Sequence, residues 1–490
     1  LLAVSGALAV VALWHWGAAI AGRAPVLYGE GAVAHASLLA RAGAEYAGTA
    51  SAAAAPIFTA ANYPPLYLRV AGLGDPFVAG RVASVICTLC VAGAIAWRAR
   101  SGGAVAALAL SAAWIATAPV ALWGPAVKPD LLALALTVIA VLVLERSNGG
   151  RALPGRASLA VERSRGRGAF PGDALLHVER SRGRGIAGGV AGGALLALAI
   201  LAKPTAALPA VALAAWVLVL SGPMALARVV LGALAAGAVA VIVFPELAAP
   251  DAVLLHVVSW NALPWSAASA AQLVLVAALT AGVPVAFALV FRAARGPLGA
   301  YLVAAIAIVL LGGREGATIN YILDLSAAAA LALASVAARQ RWRAWYPAAA
   351  AVQLLIGVAV LNPFGILPGR TPTTGAWGDP ARADVIAALP AGPALVEDSG
   401  LLIAEGREPV VDDLFLWSRL VERGSLEARP LIDPVSRATF VAVVSQADLE
   451  RLEGAPAFER SRWHPVLVRE VLARYRLDAS SSGLYVYLPR

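Results

Sequence analysis

A single carboxylate lies between two glycines shortly after the first apolar stretch of the chain, in the run Gly29-Glu30-Gly31. A carboxylate beside flexible backbone can accept a proton from a hydroxyl group that a ligand brings close to it. We therefore predict that Glu30 acts as a general base. The alternative is a charge that stabilises a helix N-terminus, because residues 32–42 have the apolar spacing of an amphipathic helix along the membrane interface.

Three cations at the ends of later apolar stretches form a second group of residues that could do chemistry. Lys128 and Lys203 are the only lysines in the chain, and Arg314 begins a dense polar run, REGATINY. An ammonium group can neutralise a phosphate as a point charge, and a guanidinium can bind it through paired hydrogen bonds. We predict that all three cations bind a donor phosphate. For each lysine, the alternative is snorkelling toward the membrane surface.

Polar and aromatic residues near the same predicted membrane surface form a third group. The run Tyr63-Pro64-Pro65-Leu66-Tyr67 must begin as a rigid turn, since adjacent prolines fix φ and restrict the residue before them. Anchoring in the interface is an equal alternative for the two tyrosine rings. The residues predicted to line a substrate cleft are Tyr63, Tyr67, Asp130, His256, Asn261, Glu315, Asn320 and Tyr321.

Metal and redox chemistry have little support in the sequence. No spacing of histidines, cysteines and carboxylates is typical of a zinc or iron site. Cys87 and Cys90 lie within an apolar stretch, which indicates small buried side chains rather than a redox pair. The sequence therefore assigns no cofactor. A divalent metal stays open, with no motif that indicates it.

The elements that must position these residues are membrane helices. Of the 490 residues, 60% are hydrophobic and only 14% are charged, whereas soluble domains have about 25% charged residues. The pattern predicts an α-helical polytopic membrane protein with about 11 transmembrane helices. The apolar stretches cover residues 1–22, 78–97, 103–123, 131–145, 186–202, 205–221, 229–247, 268–291, 297–312, 321–338 and 346–363.

The distribution of arginines predicts how the helices are oriented. Cytoplasmic loops are enriched in Lys and Arg, and this rule places the N-terminus in the cytoplasm if Lys203-Pro204 separates two spans. The basic segment 146–185, which contains VERSRGRG twice, then becomes a cytoplasmic loop. A solvated insert is one interpretation of this segment, and a site for anionic lipid or a partner is the other.

The composition changes near residue 370 and predicts two domains. Residues 1–365 form the membrane domain, with an outer loop at 23–77 as the catalytic loop. Residues 371–490 are net acidic and mix short β-type runs with helical ones, ending in GLYVYLP. They predict a small extracytoplasmic α/β domain.

The order of these features resembles the bacterial membrane glycosyltransferases of the GT-C superfamily. An early acidic residue, a YPPLY turn, the run Lys128-Pro129-Asp130, GALLALAILAKPTAALPAVAL and GATINYILDLSAAAALALA follow one another, with a small outer domain at the end. The set in question is family-39-like, related to protein mannosyltransferases and lipid A aminoarabinose transferases. Its better-known members have an adjacent acidic pair where this chain has Gly-Glu-Gly.

This resemblance implies a function and a set of partners. The donor would be a hexose or pentose on a polyprenyl phosphate in the outer leaflet of the plasma membrane. Glu30 would deprotonate an acceptor hydroxyl on a lipid, a glycan or a protein, with inversion at the anomeric carbon. The basic chain would then contact the lipid bilayer and no nucleic acid, because its arginines lie at predicted helix ends.

Three other functions remain open from the sequence. A transporter or lipid flippase would place ionisable residues within its spans, and only Arg81 approaches that position. A non-enzymatic subunit for envelope polysaccharide assembly would need no carboxylate in the first outer loop. An enzyme of the O-antigen ligase type would use similar chemistry.

Overall fold

Helices dominate the first three quarters of the chain. The computed structural model describes residues 1–46, 56–148, 171–248, 250–338, 345–365, 367 and 379–490, except for the side chains of 148, 171–184 and 380. The helices of this part are α1 (Leu2–Ala21), α2 (Glu30–Ala40), α3 (Pro65–Ala71), α4 (Pro76–Ala99), α5 (Ala104–Ile115), α6 (Ala118–Trp123), α7 (Asp130–Asn148), α8 (Pro171–Ala202), α9 (Ala207–Ser221), α10 (Pro223–Val243), α11 (Pro250–Leu254), α12 (Ala267–Val290), α13 (Pro297–Leu311), α14 (Leu323–Ala334) and α15 (Tyr346–Leu361).

The predicted polytopic helical architecture is confirmed. Within the described residues, 6 helices are long and apolar enough to cross a bilayer, and shorter apolar helices of 10–17 residues accompany them. Residues 186–221 form two helices as expected. Lys203 separates them in an extended conformation, with φ −151° and ψ 127°, because the proline that follows disfavours helical backbone before it.

Three local predictions need correction. The apolar stretch 103–123 is interrupted before Pro119, and it forms α5 and α6 instead of one helix. Helix α8 begins at Pro171, inside the segment predicted as a loop; the first copy of VERSRGRG lies outside the described residues. Helix α2 does not lie along the interface with one face exposed, since nine of its eleven residues are buried.

The C-terminal part is a small α/β domain, as predicted. Its four-stranded sheet has the order β1-β2-β4-β3, in which β1 and β2 are parallel and the other pairs are antiparallel. The final run GLYVYLP supplies strand β4. The elements are α16 (Pro380–Ala387), β1 (Leu395–Val396), α17 (Ser399–Ala404), α18 (Leu414–Glu422), α19 (Arg429–Ser436), β2 (Val443–Ser445), α20 (Ala457–Arg460), α21 (Pro465–Arg474), β3 (Tyr475–Ser481) and β4 (Leu484–Pro489).

This domain docks tightly on the outer loop of the membrane domain. Phe58 pairs with Val411 in a parallel β-bridge, and the backbone N–H of Ile57 donates to the carbonyl of Val410 at 2.8 Å. Phe58 and Trp260 are buried in one hydrophobic cluster with the core of the C-terminal domain. The two domains therefore share a core, which fixes the position of the C-terminal domain over the membrane helices.

The glycine after Glu30 is needed for this docking. A Cβ atom at Gly31 would lie 2.2 Å from the backbone nitrogen of Gly400 and 2.3 Å from Oγ of Ser399. We expect Gly31→Ala to weaken docking by about 1–3 kcal/mol, the usual cost of overpacking. Limited proteolysis should then release the C-terminal domain faster. Gly237→Ala is the matched control, since no atom lies within 4 Å of its added Cβ; equal proteolysis of both variants would contradict the close packing.

Candidate active site

A cavity of about 200 Å³, lined by charged, polar and aromatic side chains, lies between the membrane helices and the C-terminal domain. Its walls come from the outer loop, from the segments before α7 and after α8, from the turn before α14 and from α18. The structure brings eight of the residues predicted from sequence to this one cavity: Tyr63, Lys128, Lys203, Asn261, Arg314, Glu315, Asn320 and Tyr321. These residues span most of the membrane domain in sequence, so their convergence identifies the candidate site.

Two of the cations in the cavity have no carboxylate partner. Lys128 donates from Nζ to the carbonyl oxygen of Gly29 at 2.7 Å. Arg314 donates to the carbonyl oxygen of Asn261 at 2.7 Å and to Oη of Tyr321 at 3.0 Å. Within the described part of the chain, neither cation forms an ion pair. Their positive charges therefore remain available to an anionic ligand.

The third cation of the cavity, Lys203, does have a carboxylate partner. Lys203 is buried and forms an ion pair with Asp130. Asn320 donates to the same carboxylate at 2.7 Å, and the indole N–H of Trp123 donates to it at 3.3 Å. Asp130 itself lies behind the cavity wall, contrary to its predicted place in the cleft. Because Asp130 compensates the charge of Lys203, less of that charge is available to an anionic ligand. The role of Lys203 in binding a phosphate stays a prediction.

Glu30 lies outside the cavity, and its carboxylate is fully buried. Oε1 accepts a hydrogen bond from the backbone N–H of Val127 at 2.7 Å. Oε2 accepts one from the backbone N–H of Val26 at 2.7 Å and one from Arg81 at 3.1 Å. Both oxygens are thus occupied by structural donors. The general-base role of Glu30 remains an untested prediction that these contacts do not favour.

Arg81, the charge that sequence placed nearest to mid-membrane, is also structural. Its fully buried guanidinium donates to the carbonyl oxygens of Ala19, Gly22 and Ala24 around the end of α1. Helix C-termini leave carbonyls that need such donors. Arg81 therefore ties α4 to α1 and to Glu30.

Two further residues predicted for the cleft lie elsewhere. Tyr67 donates from its hydroxyl to the carbonyl oxygen of Gly80 at 3.0 Å, and it is fully buried. His256 is also buried; its Nδ1 accepts from the backbone N–H of Ala61 at 3.2 Å, and its ring packs on Trp260. Both residues hold the outer loop in place. The Tyr-Pro-Pro-Leu-Tyr turn therefore has one ring in the cavity wall and one in the core.

Sequence reasoning missed the side of the cavity that the C-terminal domain supplies. Asp413 and Phe415, at the start of α18, line the cavity together with Phe458 and, from the outer loop, Tyr28. The ring of Phe458 packs against the other two rings, with centroids 5.6 Å from Phe415 and 5.9 Å from Tyr28. One signal was present in the sequence: the acidic pair in the apolar run VVDDLFLW.

The described residues contain no group of three or more histidines, cysteines and carboxylates that could hold a metal ion.

Known proteins share this fold at low sequence identity. The crystal structure of ArnT from Cupriavidus metallidurans in the apo state matches with a TM-score of 0.57 and 14% identity, over 98% of this chain and 96% of ArnT. The structure of ArnT bound to undecaprenyl phosphate matches with a TM-score of 0.57 and 15% identity, over 98% and 97%. No family model and no curated protein sequence matches the chain. The predicted fold, apolar helices followed by a small α/β domain, is thus shared with ArnT over nearly the whole chain.

Proposed function

We propose that the protein is a membrane glycosyltransferase that moves a sugar from a polyprenyl-phosphate donor to an acceptor hydroxyl. One observation carries this proposal: Lys128 and Arg314, two cations with no carboxylate partner among the described residues, face the cavity between the membrane helices and the C-terminal domain. The similarity to ArnT, one of whose structures is bound to undecaprenyl phosphate, supports a polyprenyl phosphate as the group that they bind.

The proposed reaction is a single displacement at the anomeric carbon. The acceptor oxygen forms a bond to that carbon while the bond to the phosphate oxygen breaks, and the configuration inverts. Negative charge develops on the departing phosphate, and Lys128 and Arg314 stabilise it. Lys203 and Asp130 fix the wall on which Asn320 and Tyr321 lie. A sugar already joined to a lipid phosphate requires no nucleotide-binding loop.

The location and the partners follow from the same proposal. The protein spans the plasma membrane several times, with its N-terminus in the cytoplasm and the cavity on the extracytoplasmic side. The donor reaches the cavity from the outer leaflet, and the acceptor is a lipid, a glycan or a protein. The transferred group is a hexose or a pentose.

A transfer assay tests the function. The purified protein in liposomes is given undecaprenyl phosphate carrying tritiated mannose, glucose, galactose, arabinose or aminoarabinose, together with an envelope extract. We expect one of these donors to lose its label to an acceptor or to water, and undecaprenyl phosphate alone to raise the Tm. If no donor is consumed and undecaprenyl phosphate leaves the Tm unchanged, the proposed function is wrong.

A further inference from the structure

Two carboxylates line the cavity in the described part of the chain, and they differ in their partners. Glu315 lies 3.4 Å from the guanidinium of Arg419, with a third of its side chain exposed. Asp413 is buried, and no cation among the described side chains lies within 4 Å of it. Asp413 is therefore the uncompensated carboxylate of the cavity, and the C-terminal domain supplies it.

The two oxygens of Asp413 have different surroundings. Oδ1 accepts a hydrogen bond from the backbone N–H of Leu416 at 3.0 Å, which caps the nine-residue helix α18. The hydroxyl of Tyr28 donates to the same oxygen at 3.4 Å. Within the part of the chain that the structure describes, Oδ2 has a single longer contact, from Nδ2 of Asn62 at 3.5 Å. One oxygen thus fixes the side chain, and the other can accept a proton.

The neighbouring residue holds this carboxylate against the membrane domain. The side chain of Asp412 accepts hydrogen bonds from the backbone N–H of Ala60 at 3.0 Å and lies 3.3 Å from Nδ1 of His35. Since His35 and Ala60 belong to the outer loop region, the start of α18 cannot move independently of the cavity. A reacting group must be held this firmly to be effective.

The surroundings of Asp413 also suit a base. Burial raises the pKa of the Asp413 carboxyl, and the charge of Asp412 raises it further. The hydrogen bonds from Leu416 and Tyr28 and the charge of Lys128 oppose this effect. A carboxylate with a raised pKa takes a proton more readily than an exposed one.

We propose that Asp413 is the general base of the transfer reaction, placed in the cavity by the C-terminal domain. The proton of the acceptor hydroxyl passes to Oδ2 of Asp413, and the acceptor oxygen forms its bond to the anomeric carbon. The bond from that carbon to the phosphate oxygen breaks, and its electron pair leaves with the phosphate that faces Lys128 and Arg314. This proposal rests on the proposed function, and it replaces Glu30 as the base.

Asp413→Asn tests the proposal, because asparagine also caps helices well but cannot take the proton. In the liposome assay, with the donor that the unaltered protein consumes, we expect kcat to fall by roughly 10²- to 10⁴-fold. The KM for the donor and the Tm should stay close to those of the unaltered protein. The decline of kcat/KM toward acidic pH, caused by protonation of Asp413, should disappear. Asp433→Asn, at an exposed position of α19, is the matched control.

Each outcome decides between the two proposals. If the unaltered protein consumes no donor, the role of Asp413 is wrong, and if undecaprenyl phosphate also leaves its Tm unchanged, the proposed function is wrong as well. If it does and Asp413→Asn keeps its kcat and its pH profile, only the role of Asp413 is wrong. If Asp413→Asn does not fold, Asp413→Ser gives the answer, since serine is also a good cap and leaves room for formate. An increase in the kcat of Asp413→Ser when formate is added supports the proposal. A kcat that formate leaves unchanged overturns it.

Discussion

Replacing Lys128 by alanine should lower the rate of sugar transfer by roughly 10²- to 10³-fold, the usual effect of removing one preorganised donor from a developing negative charge. Its Nζ is held 2.7 Å from the carbonyl oxygen of Gly29, and no carboxylate competes for it among the described residues. The ammonium group is therefore positioned before the donor arrives. The liposome assay, with kcat measured on the donor that the unaltered protein consumes, checks this result.

One control variant and one second cavity variant show whether the effect is specific to the cations of the cavity. Arg476→Ala removes a cation from an exposed position of β3 and should leave kcat unchanged. Arg314→Ala should also be impaired, and undecaprenyl phosphate should stabilise neither Lys128→Ala nor Arg314→Ala as much as it stabilises the unaltered protein. Full activity of Lys128→Ala would show that the phosphate binds elsewhere.

The two lysines of the chain are alike in sequence and different in the structure. Each precedes a proline at the end of an apolar stretch, so sequence assigns both the same role. Lys203 forms an ion pair with Asp130, whereas Lys128 donates a hydrogen bond to a backbone carbonyl oxygen, that of Gly29. A pair 73 residues apart depends on how α7 and α8 pack, and the local pattern contains no information about that packing.

The membrane helices were predictable because their cause is local. An apolar stretch of sufficient length must satisfy its own backbone hydrogen bonds in a bilayer, and a helix does so. The break at Lys203-Pro204 follows from the proline alone, and GLYVYLP has the residue types of a strand. The exceptions, such as the break before Pro119, occur where burial within the protein removes the need for one continuous span.

The candidate site was predictable in part. Eight of the predicted residues line the cavity. They could be identified from sequence because placing ionisable and polar groups beside apolar spans costs free energy, so such groups often mark a functional site. Asp413 was not predicted from sequence, because its place in the cavity arises from docking of the C-terminal domain. Its partners Tyr28 and Asn62 are 385 and 351 residues away. In the Gly-Glu-Gly run, Glu30 pairs with Arg81 and Gly31 lies against the backbone of Gly400. The role of Glu30 as the base stays a prediction.

Glu30→Gln should lower the stability of the fold and leave the rate of transfer by the folded molecules nearly unchanged. Glutamine has one carbonyl oxygen and one amino group, so it cannot accept hydrogen bonds at both sites, where Val26, Val127 and Arg81 now donate. The amino group would face a donor, and the guanidinium of Arg81 would be left buried without its counter-charge. Breaking a buried ion pair in this way costs about 3–5 kcal/mol.

We therefore expect Glu30→Gln to give a low yield of monodisperse protein and a lower Tm, while kcat per folded molecule stays within a few fold of the unaltered value. Glu145→Gln is the matched control: Glu145 also pairs with an arginine of α4, Arg98, but a third of its side chain is exposed, so its loss should cost less than about 1 kcal/mol. Size-exclusion chromatography, thermal unfolding and the liposome assay give the three quantities. A Glu30→Gln variant that folds normally but transfers no sugar would restore Glu30 as the base and remove Asp413 from that role, because a single displacement needs one proton acceptor.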